Sequence, residues 1–479
     1  MTELIQHIPK TIIIVGLALV ITVMVILIRR WFFKLIDSLV EQRVNEIMKI
    51  KTLALRIKTG PENEAFIQKD KKTHVKTLRY KSVTVLFADI QGFTKIVERL
   101  NPEMLVDQLD DFFVHFDNIV EHYGIEKIKT IGDAYMAASG LPEKNSSHAI
   151  EMVMAALEIQ AYMKQLREEK SRQHEDFWEV RIGIHTGPVI AGRVGRKKTT
   201  FDIWGDTVNT ASRMESSGYA GEINITDSTY QMIKDFFVCE YRGQMPIKYK
   251  GAIDMYFVKG IRPELSLNGS GLIPTQTFFT RLQHIRFIYL EEAVLNRLSV
   301  ELSTNIKYHN VRHTIDVLTQ VEILARNEKV NEEELLLLKT AALMHDTGFL
   351  TNYHNHEYHS TIIAAEVLSN FGYTPEQTKQ VNQLISATRP QYQPTSHLEC
   401  IIKDADLDHL GRADFFNLSE LLFNEQKIFN PNIKKNEWLL NQFTFLANHK
   451  YYTPTALKMR QSAKNLHLKT LRQLINYKN

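Results

Sequence analysis

Residues Thr11–Ile28 read TIIIVGLALVITVMVILI, eighteen positions without a charge. A run of that length can cross a hydrocarbon core of about 30 Å as a helix. It ends in Arg29, Arg30 and the bulky Trp31, Phe32 and Phe33 rather than in a small-residue cleavage site, so it predicts a retained anchor over 1–30 and not a signal peptide. The basic cluster Arg29, Arg30 and Lys34 follows the run. The positive-inside tendency then predicts a single-pass protein of the inner or plasma membrane, with every later residue cytoplasmic. Past the run, Phe33, Ile36, Val40, Ile47, Ile50, Ala54 and Ile57 recur three and four apart, with Arg43 interrupting. That seam predicts a parallel coiled coil over 31–60, and hence a dimer. A helix packed on lipid or on its own domain is the alternative.

Gly60-Pro61 ends the seam. Over 77–262 short strand-like runs (VTVLFADI, EKIKTIGDAYMAAS, EVRIGIHTG and GEINIT) alternate with helical stretches, Pro102 to Tyr123 and Ser147 to Glu169. This order predicts an α/β sandwich. The polar, turn-rich stretch around LNGSG predicts a linker over 263–277, and from 278 to 479 the pattern is helical almost throughout. The expected whole is an α+β multidomain protein whose last domain is all-α.

Composition changes this little: 44% hydrophobic and 24% charged residues suit globular domains. A formal charge of +3 predicts no nucleic-acid partner. Cys239 and Cys400 lie far apart in no metal-like spacing, which suits packing residues in a reducing compartment. Histidines, by contrast, crowd between His309 and His409, a first sign of a metal site.

Asp89 closes the run VTVLFADI just before QGFT, and Asp133 sits in the turn TIGDAY. An acid at a strand end beside a glycine turn can hold a cation while exposed N–H groups meet phosphate. Either alone is more often a turn former. Together with KIKTIGDAYMAASGLP, GIHTGPVIAG and FDIWGDTVNTASRMES, the region resembles the class III adenylyl and guanylyl cyclases. That resemblance implies a ferredoxin-like core and two Mg²⁺ or Mn²⁺ ions per site, held by Asp89 and Asp133. One eases ionisation of the ribose 3′-hydroxyl; the other binds the triphosphate. It further implies that Asn209 orients the ribose and Arg213 stabilises the transition state, the two lying four apart on one helix face. Lys248 matches a second phosphate cation, with Lys250 as the alternative in register. Lys129 and Asp202 fall where the base is read, at positions where guanylyl cyclases typically carry glutamate and cysteine. A lysine donor and an aspartate acceptor complement N1 and N6 of adenine, so the expected substrate is ATP. In this family each site forms between two cyclase domains, so one chain bearing both sets of residues implies a homodimer.

The helical region carries YHNVRH, ALMHDTGF, HNHEYHS and IIKDADLDHLG, in that order. These segments resemble the HD superfamily of metal-dependent phosphohydrolases. His313, His345, Asp346 and Asp406 would be the ligands of a divalent metal of open identity. Asp406 is preferred to Asp404 because the family aspartate typically stands in an Ala-Asp-hydrophobic context, as in Ala405-Asp406-Leu407. His356 and His359 are either ligands of a second metal or solvated loop residues. YHNVRHTIDV also resembles the opening motif of cyclic-nucleotide phosphodiesterases, in which His309 would protonate the leaving 3′-oxygen. Those enzymes continue HDxxH, whereas this chain reads HDTGF and places Phe349 at the later histidine. Two readings follow: a hydrolase acting on a phosphoester such as cyclic AMP, or a module that senses nucleotide or metal and biases the cyclase without turnover.

Overall fold

The computed structural model describes residues 78–93, 102–174, 177–194, 200–247 and 251–476. The apolar run at Thr11–Ile28, the coiled-coil seam at 31–60 and Lys248 all lie outside them.

The fold grows from β1 (Leu78–Ile90). Its apolar positions fall on both sides: Leu86, Ala88 and Ile90 enter one core, Val83, Val85 and Phe87 another. A strand buried on both faces must sit inside a sheet. After α1 (Pro102–His122) come β2 (Glu126–Ile131) and β3 (Ala134–Ser139). The stretch expected as one strand is therefore a hairpin, folded back at Gly132-Asp133, with Ile131 opposite Ala134. Then follow α2 (His148–Arg172), β4 (Val180–Val194), β5 (Thr200–Trp204), α3 (Asp206–Ser216), β6 (Ile223–Thr226), α4 (Asp227–Ile233), β7 (Phe237–Ile247) and β8 (Gly251–Ile261). Strand order is β2-β3-β1-β4-β6-β8-β7, with β5 also on β4. Pairing is antiparallel except between β4 and β6.

Two layers of side chains sandwich this sheet. Phe112 and Phe116 of α1 and Ile150 and Val153 of α2 bury against Leu86, Ala88 and Ile182. On the other face Ala211 of α3 meets Val85 and Phe87. The closeness of α3 to β4 rests on Gly183: a Cβ there would lie 1.9 Å from the Glu215 nitrogen. Any side chain at 183 would push the helix off the sheet. Within the first layer, buried His148 bonds Thr84 through Nδ1 (2.7 Å), and Thr84 meets Thr186 at 2.9 Å. Burial holds the His148 imidazole at a pKa of about 4, hence neutral near pH 7.

The chain divides into two compact units between Tyr289 and Leu290, within α5 (Gln276–Glu301). The first turns of α5 belong to the sheet unit. Phe278 and Leu282 enter its core, and Arg286 pairs with Glu151 at 2.9 Å.

The second unit is helical: α6 (Val311–Asn327), α7 (Glu332–Met344), α8 (His356–Leu368), α9 (Pro375–Ala387), α10 (His397–Asp406), α11 (Phe415–Phe429), α12 (Lys435–Asn448) and α13 (Pro454–Asn476). Helix α7 is buried from Leu335 to Leu338 and from Thr340 to Met344, so it forms the centre, flanked by α6, α9 and α10. Asn331 and Glu334 close a reciprocal capping box at its start, an arrangement worth about 1 kcal/mol.

One expectation is corrected. Among the described residues no helix is long and apolar enough to cross a membrane, which overturns the predicted single-pass location in the inner or plasma membrane. The reason lies in patterning: the longest helices, α2, α5 and α13, carry charged residues along their length.

Candidate active sites

In the sheet unit, register builds the first cluster. Asp89 stands opposite Ala134 on β3, next to Asp133, and opposite Arg181 on β4. Arg181 Nη2 donates to Asp89 Oδ2 at 2.8 Å. Its Nε lies 2.5 Å from Glu215 Oε1, a close ion pair without hydrogen-bond alignment. Three carboxylates thus crowd one arginine. Burial and the charge of Asp89 raise the pKa of Asp133, and the same two causes push Glu215 up to about 7, against Arg181. Excess negative charge of this kind, all from oxygen ligands, fits divalent cations of the magnesium type. Arg181 and Glu215 were not among the sequence candidates. The motifs EVRIGIHTG and SRMES held them in plain view, but only the close approach at Gly183 brings Glu215 to Asp89.

A second group forms where β2 and β5 approach. Lys129 Nζ donates to Asp202 Oδ2 at 2.7 Å, across 73 positions of sequence. Asp202 Oδ1 also accepts from the Ile203 N–H at 2.9 Å. Asn209 and Arg213 lie on the exposed face of α3, while Thr207, Thr210, Ala211, Met214 and Glu215 are buried on the other. One helix therefore turns Glu215 inward to the aspartates and Arg213 outward to solvent. Within one chain the residues expected to read ribose and transition state are not drawn into the aspartate cluster.

In the helical unit, α7 delivers His345 and Asp346 at its C-terminal end, and α6 delivers His313 in its first turn, capped by Asn310. His345 Nε2 lies 3.4 Å from His313 Nε2 and 3.2 Å from Asp346 Oδ2. His313 Nε2 lies 3.5 Å from Asp346 Oδ2 and 3.3 Å from Asp406 Oδ1. Ligands about 2.1 Å from a shared ion sit roughly 3–3.5 Å apart when adjacent, so these spacings fit one metal. His345 Nδ1 meets the Ala342 carbonyl at 2.8 Å, which leaves Nε2 as the ligand atom. Asp346 Oδ2 is buried without a hydrogen-bond partner, an orphan a cation would satisfy. Asp404 serves elsewhere: it accepts from the N–H groups of Tyr452 and Thr453 and from the Thr453 hydroxyl.

The turn after Asp346 is tight. A Cβ at Gly348 would lie 1.9 Å from the His356 carbonyl oxygen, and Ser360 ties His345 O to the Gly348 N–H. That contact sets His356 Nε2 3.6 Å from Asp346 Oδ1. Phe349 stacks on both His309 and His356, with centroids at 4.5 and 3.9 Å. His309 Nδ1 lies 2.5 Å from Glu425 Oε1. Glu425 is fully buried and also accepts the N–H groups of Lys307, Tyr308 and His309. Burial opposes a charge on His309, but the Glu425 hydrogen bond and the nearby carboxylates outweigh it and raise its pKa. Glu425, 116 positions away in an unremarked helix, was another residue the sequence did not single out. His309, Asp346 and Asp406 all line a cavity of about 920 Å³.

Comparison with known proteins adds two domain matches. Residues 75–260 match the adenylate and guanylate cyclase catalytic domain, and residues 310–410 match the HD domain. An adenylate cyclase of Mycobacterium tuberculosis is 35% identical over 229 residues, 48% of this chain and 51% of that protein. Human guanylyl cyclase C is 42% identical over 189 residues, 39% of this chain and 17% of that protein. Among solved structures, the adenylyl cyclase CyaB from P. aeruginosa is 34% identical, covering 38% of this chain and 95% of its own, with a TM-score of 0.36. The chain thus spans about half or less of these curated relatives, and they include cyclases of both substrate kinds. It joins a catalytic domain of the adenylate and guanylate cyclase family to an HD domain.

Proposed function

We propose that the protein is an adenylyl cyclase, forming cyclic AMP and pyrophosphate from ATP at sites shared by two copies of the chain, and that its HD unit hydrolyses a phosphoester, cyclic AMP first among candidates. The observation that carries the substrate choice is the Lys129–Asp202 pair at 2.7 Å. It offers a donor beside an acceptor, matching N1 and N6 of adenine, whereas guanine presents the reverse pattern. Asn209 orients the ribose, and the Arg213 fork meets charge building on the phosphates. Their outward placement, opposite to Glu215 on the same helix, supports completion of each site by a second copy.

Divalent cations held by Asp89 and Asp133 would supply positive charge to the triphosphate and ease ionisation of the 3′-hydroxyl. Arg181 provides a fixed cation at the same place, braced from behind by Glu215. In the HD unit, a divalent ion held by His313, His345, Asp346 and Asp406 would polarise a phosphoryl oxygen and lower the pKa of bound water. His309, oriented by Glu425, is placed to hand a proton to the leaving oxygen.

Purified protein incubated with ATP or GTP and Mg²⁺ or Mn²⁺ tests the cyclase reading, with cyclic products identified by mass. Cyclic AMP is expected, and Lys129→Glu with Asp202→Cys should raise relative GTP use. A wild type that prefers GTP, or a double variant that keeps the ATP preference, overturns the assignment. Formation of AMP from cyclic AMP by metal-loaded protein tests the hydrolase reading.

A further inference from the structure

We infer that Arg389 is the anion-recognition residue of the HD cavity and that this cavity takes nucleotides carrying a single phosphodiester charge, excluding nucleoside triphosphates. The inference rests on the hydrolase reading above and narrows its substrate.

Charge around the cavity carries it. Among the described residues, the lining holds three carboxylates, Asp346, Asp406 and Glu357, and one arginine or lysine, Arg389. A divalent ion at the histidine and aspartate ligands offsets two of those charges, and Arg389 offsets the third. A bound phosphodiester then adds one negative charge, shared between the ion and the guanidinium. A triphosphate would bring about three more, with no further arginine or lysine in the walls to meet them and with His309 already paired to the buried carboxylate of Glu425, and uncompensated charge away from water is strongly disfavoured. The remaining lining is neutral amides and aromatics such as Gln391, Asn441, Tyr353 and Phe445, suited to a nucleoside rather than to a polyphosphate chain.

Arg389 is also held ready. Its side chain is half-buried and makes no ion pair or hydrogen bond among the described residues. Its backbone is pinned by Lys403, a lysine only 3% exposed, whose Nζ donates to the carbonyls of Arg389 at 2.6 Å and Ala387 at 3.2 Å. Lys403 and the metal-facing Asp406 are three residues apart on α10. One helix therefore fixes the position of the arginine relative to the metal ligands. A buried ammonium spent on two carbonyls at the end of α9 tethers that segment firmly. An unpaired guanidinium lining the same cavity as the candidate metal site is where a non-bridging phosphate oxygen would be received.

The test uses the 479-residue chain with Asp133→Ala to silence synthesis, loaded with Mn²⁺. Hydrolysis of cyclic AMP and of dTTP is compared, together with Arg389→Gln and Arg389→Lys. The expected result is kcat/KM at least a hundredfold higher for cyclic AMP than for dTTP. Arg389→Gln should raise KM about tenfold or more, the worth of a charge-assisted hydrogen bond, with kcat changed much less, and Arg389→Lys should recover part of the loss. Comparable cleavage of dTTP, or an unchanged KM in Arg389→Gln, overturns the proposal. Should no diester be cleaved by metal-loaded protein, the hydrolase reading falls by itself, and equilibrium binding of labelled cyclic AMP decides this one. Binding weakened tenfold by Arg389→Gln sustains recognition by Arg389; equal binding, or none, refutes it.

Discussion

The two candidate metal centres of this chain are built from opposite materials. In the sheet unit, Asp89 from a strand end, Asp133 from a hairpin turn and Glu215 from a helix gather around Arg181, all oxygen donors with an arginine already among them. In the helical unit, His313, His345, Asp346 and Asp406 converge from three helices, with His313, His345 and Asp346 each buried and Asp346 left with an unsatisfied oxygen. Hard oxygen ligands that already share a cation suit an ion arriving with its nucleotide. Buried imidazoles with one nitrogen held by a carbonyl suit a resident ion. We propose on these grounds that one chain separates a borrowed metal from a kept one.

The widest gap between the two centres should appear on removing a ligand. Asp133→Ala should lower cyclic nucleotide formation about a thousandfold, since metal-borne charge is worth several kcal/mol in the transition state, while the metal content of the HD unit stays at wild type. Activity within tenfold of wild type would break the assignment of the sheet-unit cluster.

The converse substitution, Asp346→Ala, should empty the HD unit, with affinity falling by about a hundredfold or more, and leave initial rates of cyclisation unchanged. Elemental analysis after dialysis against a chelator reads this directly. Wild type should retain metal in proportion to the HD unit alone. A chain that loses all metal on dialysis would show that both centres borrow their ions.

Legibility in sequence divides along the same line. β1 was readable because a central strand, buried on both faces, leaves a nearly continuous apolar run. The histidine and aspartate cluster of the helical unit is readable because histidine pairs are rare enough to stand out. Asp133 is readable as a turn residue, yet the run around it reads as one strand, because Gly132 folds a hairpin without breaking the β-type composition on either side. Arg181, Glu215 and Glu425 were not readable. Each is an ordinary charged residue whose role comes from tertiary approach: β1 against β4, α3 pressed onto Gly183, and α11 brought beside His309. Spacing in sequence carries no trace of such approaches.

Acid should separate the units more mildly. Burial lowers His148 from 6.5 to about 4, so between those values the unfolded chain binds more protons than the folded one. Stability from this group is complete above about pH 6.5 and is lost as pH falls toward 4. The shift is worth at most about 3 kcal/mol, a few hundredfold in the unfolding equilibrium. Hydrogen exchange of β1 and β4 peptides should accelerate over that window in wild type and less so in His148→Gln. An identical pH slope in the variant would assign the acid sensitivity elsewhere.

The smallest effect is the most specific to the sheet unit, and it concerns which copy supplies which residue. Asp89 faces the cluster within its own chain, whereas Arg213 points outward from the same domain. If each site needs the first from one copy and the second from another, an Asp89→Ala chain and an Arg213→Ala chain are each inactive alone. Mixed randomly, half of the dimers contain one of each, and each such dimer has one site with both residues intact and one with neither. Activity should then return to about one quarter of wild type at equal total protein. The HD unit offers the control: Asp346→Ala mixed with His313→Ala should restore nothing, because all its ligands come from one chain. Subunit exchange, followed by two distinguishable tags, must be shown in the same sample. Exchange without recovery would mean that Arg213 serves the chain that carries it, and the outward face of α3 would need another explanation.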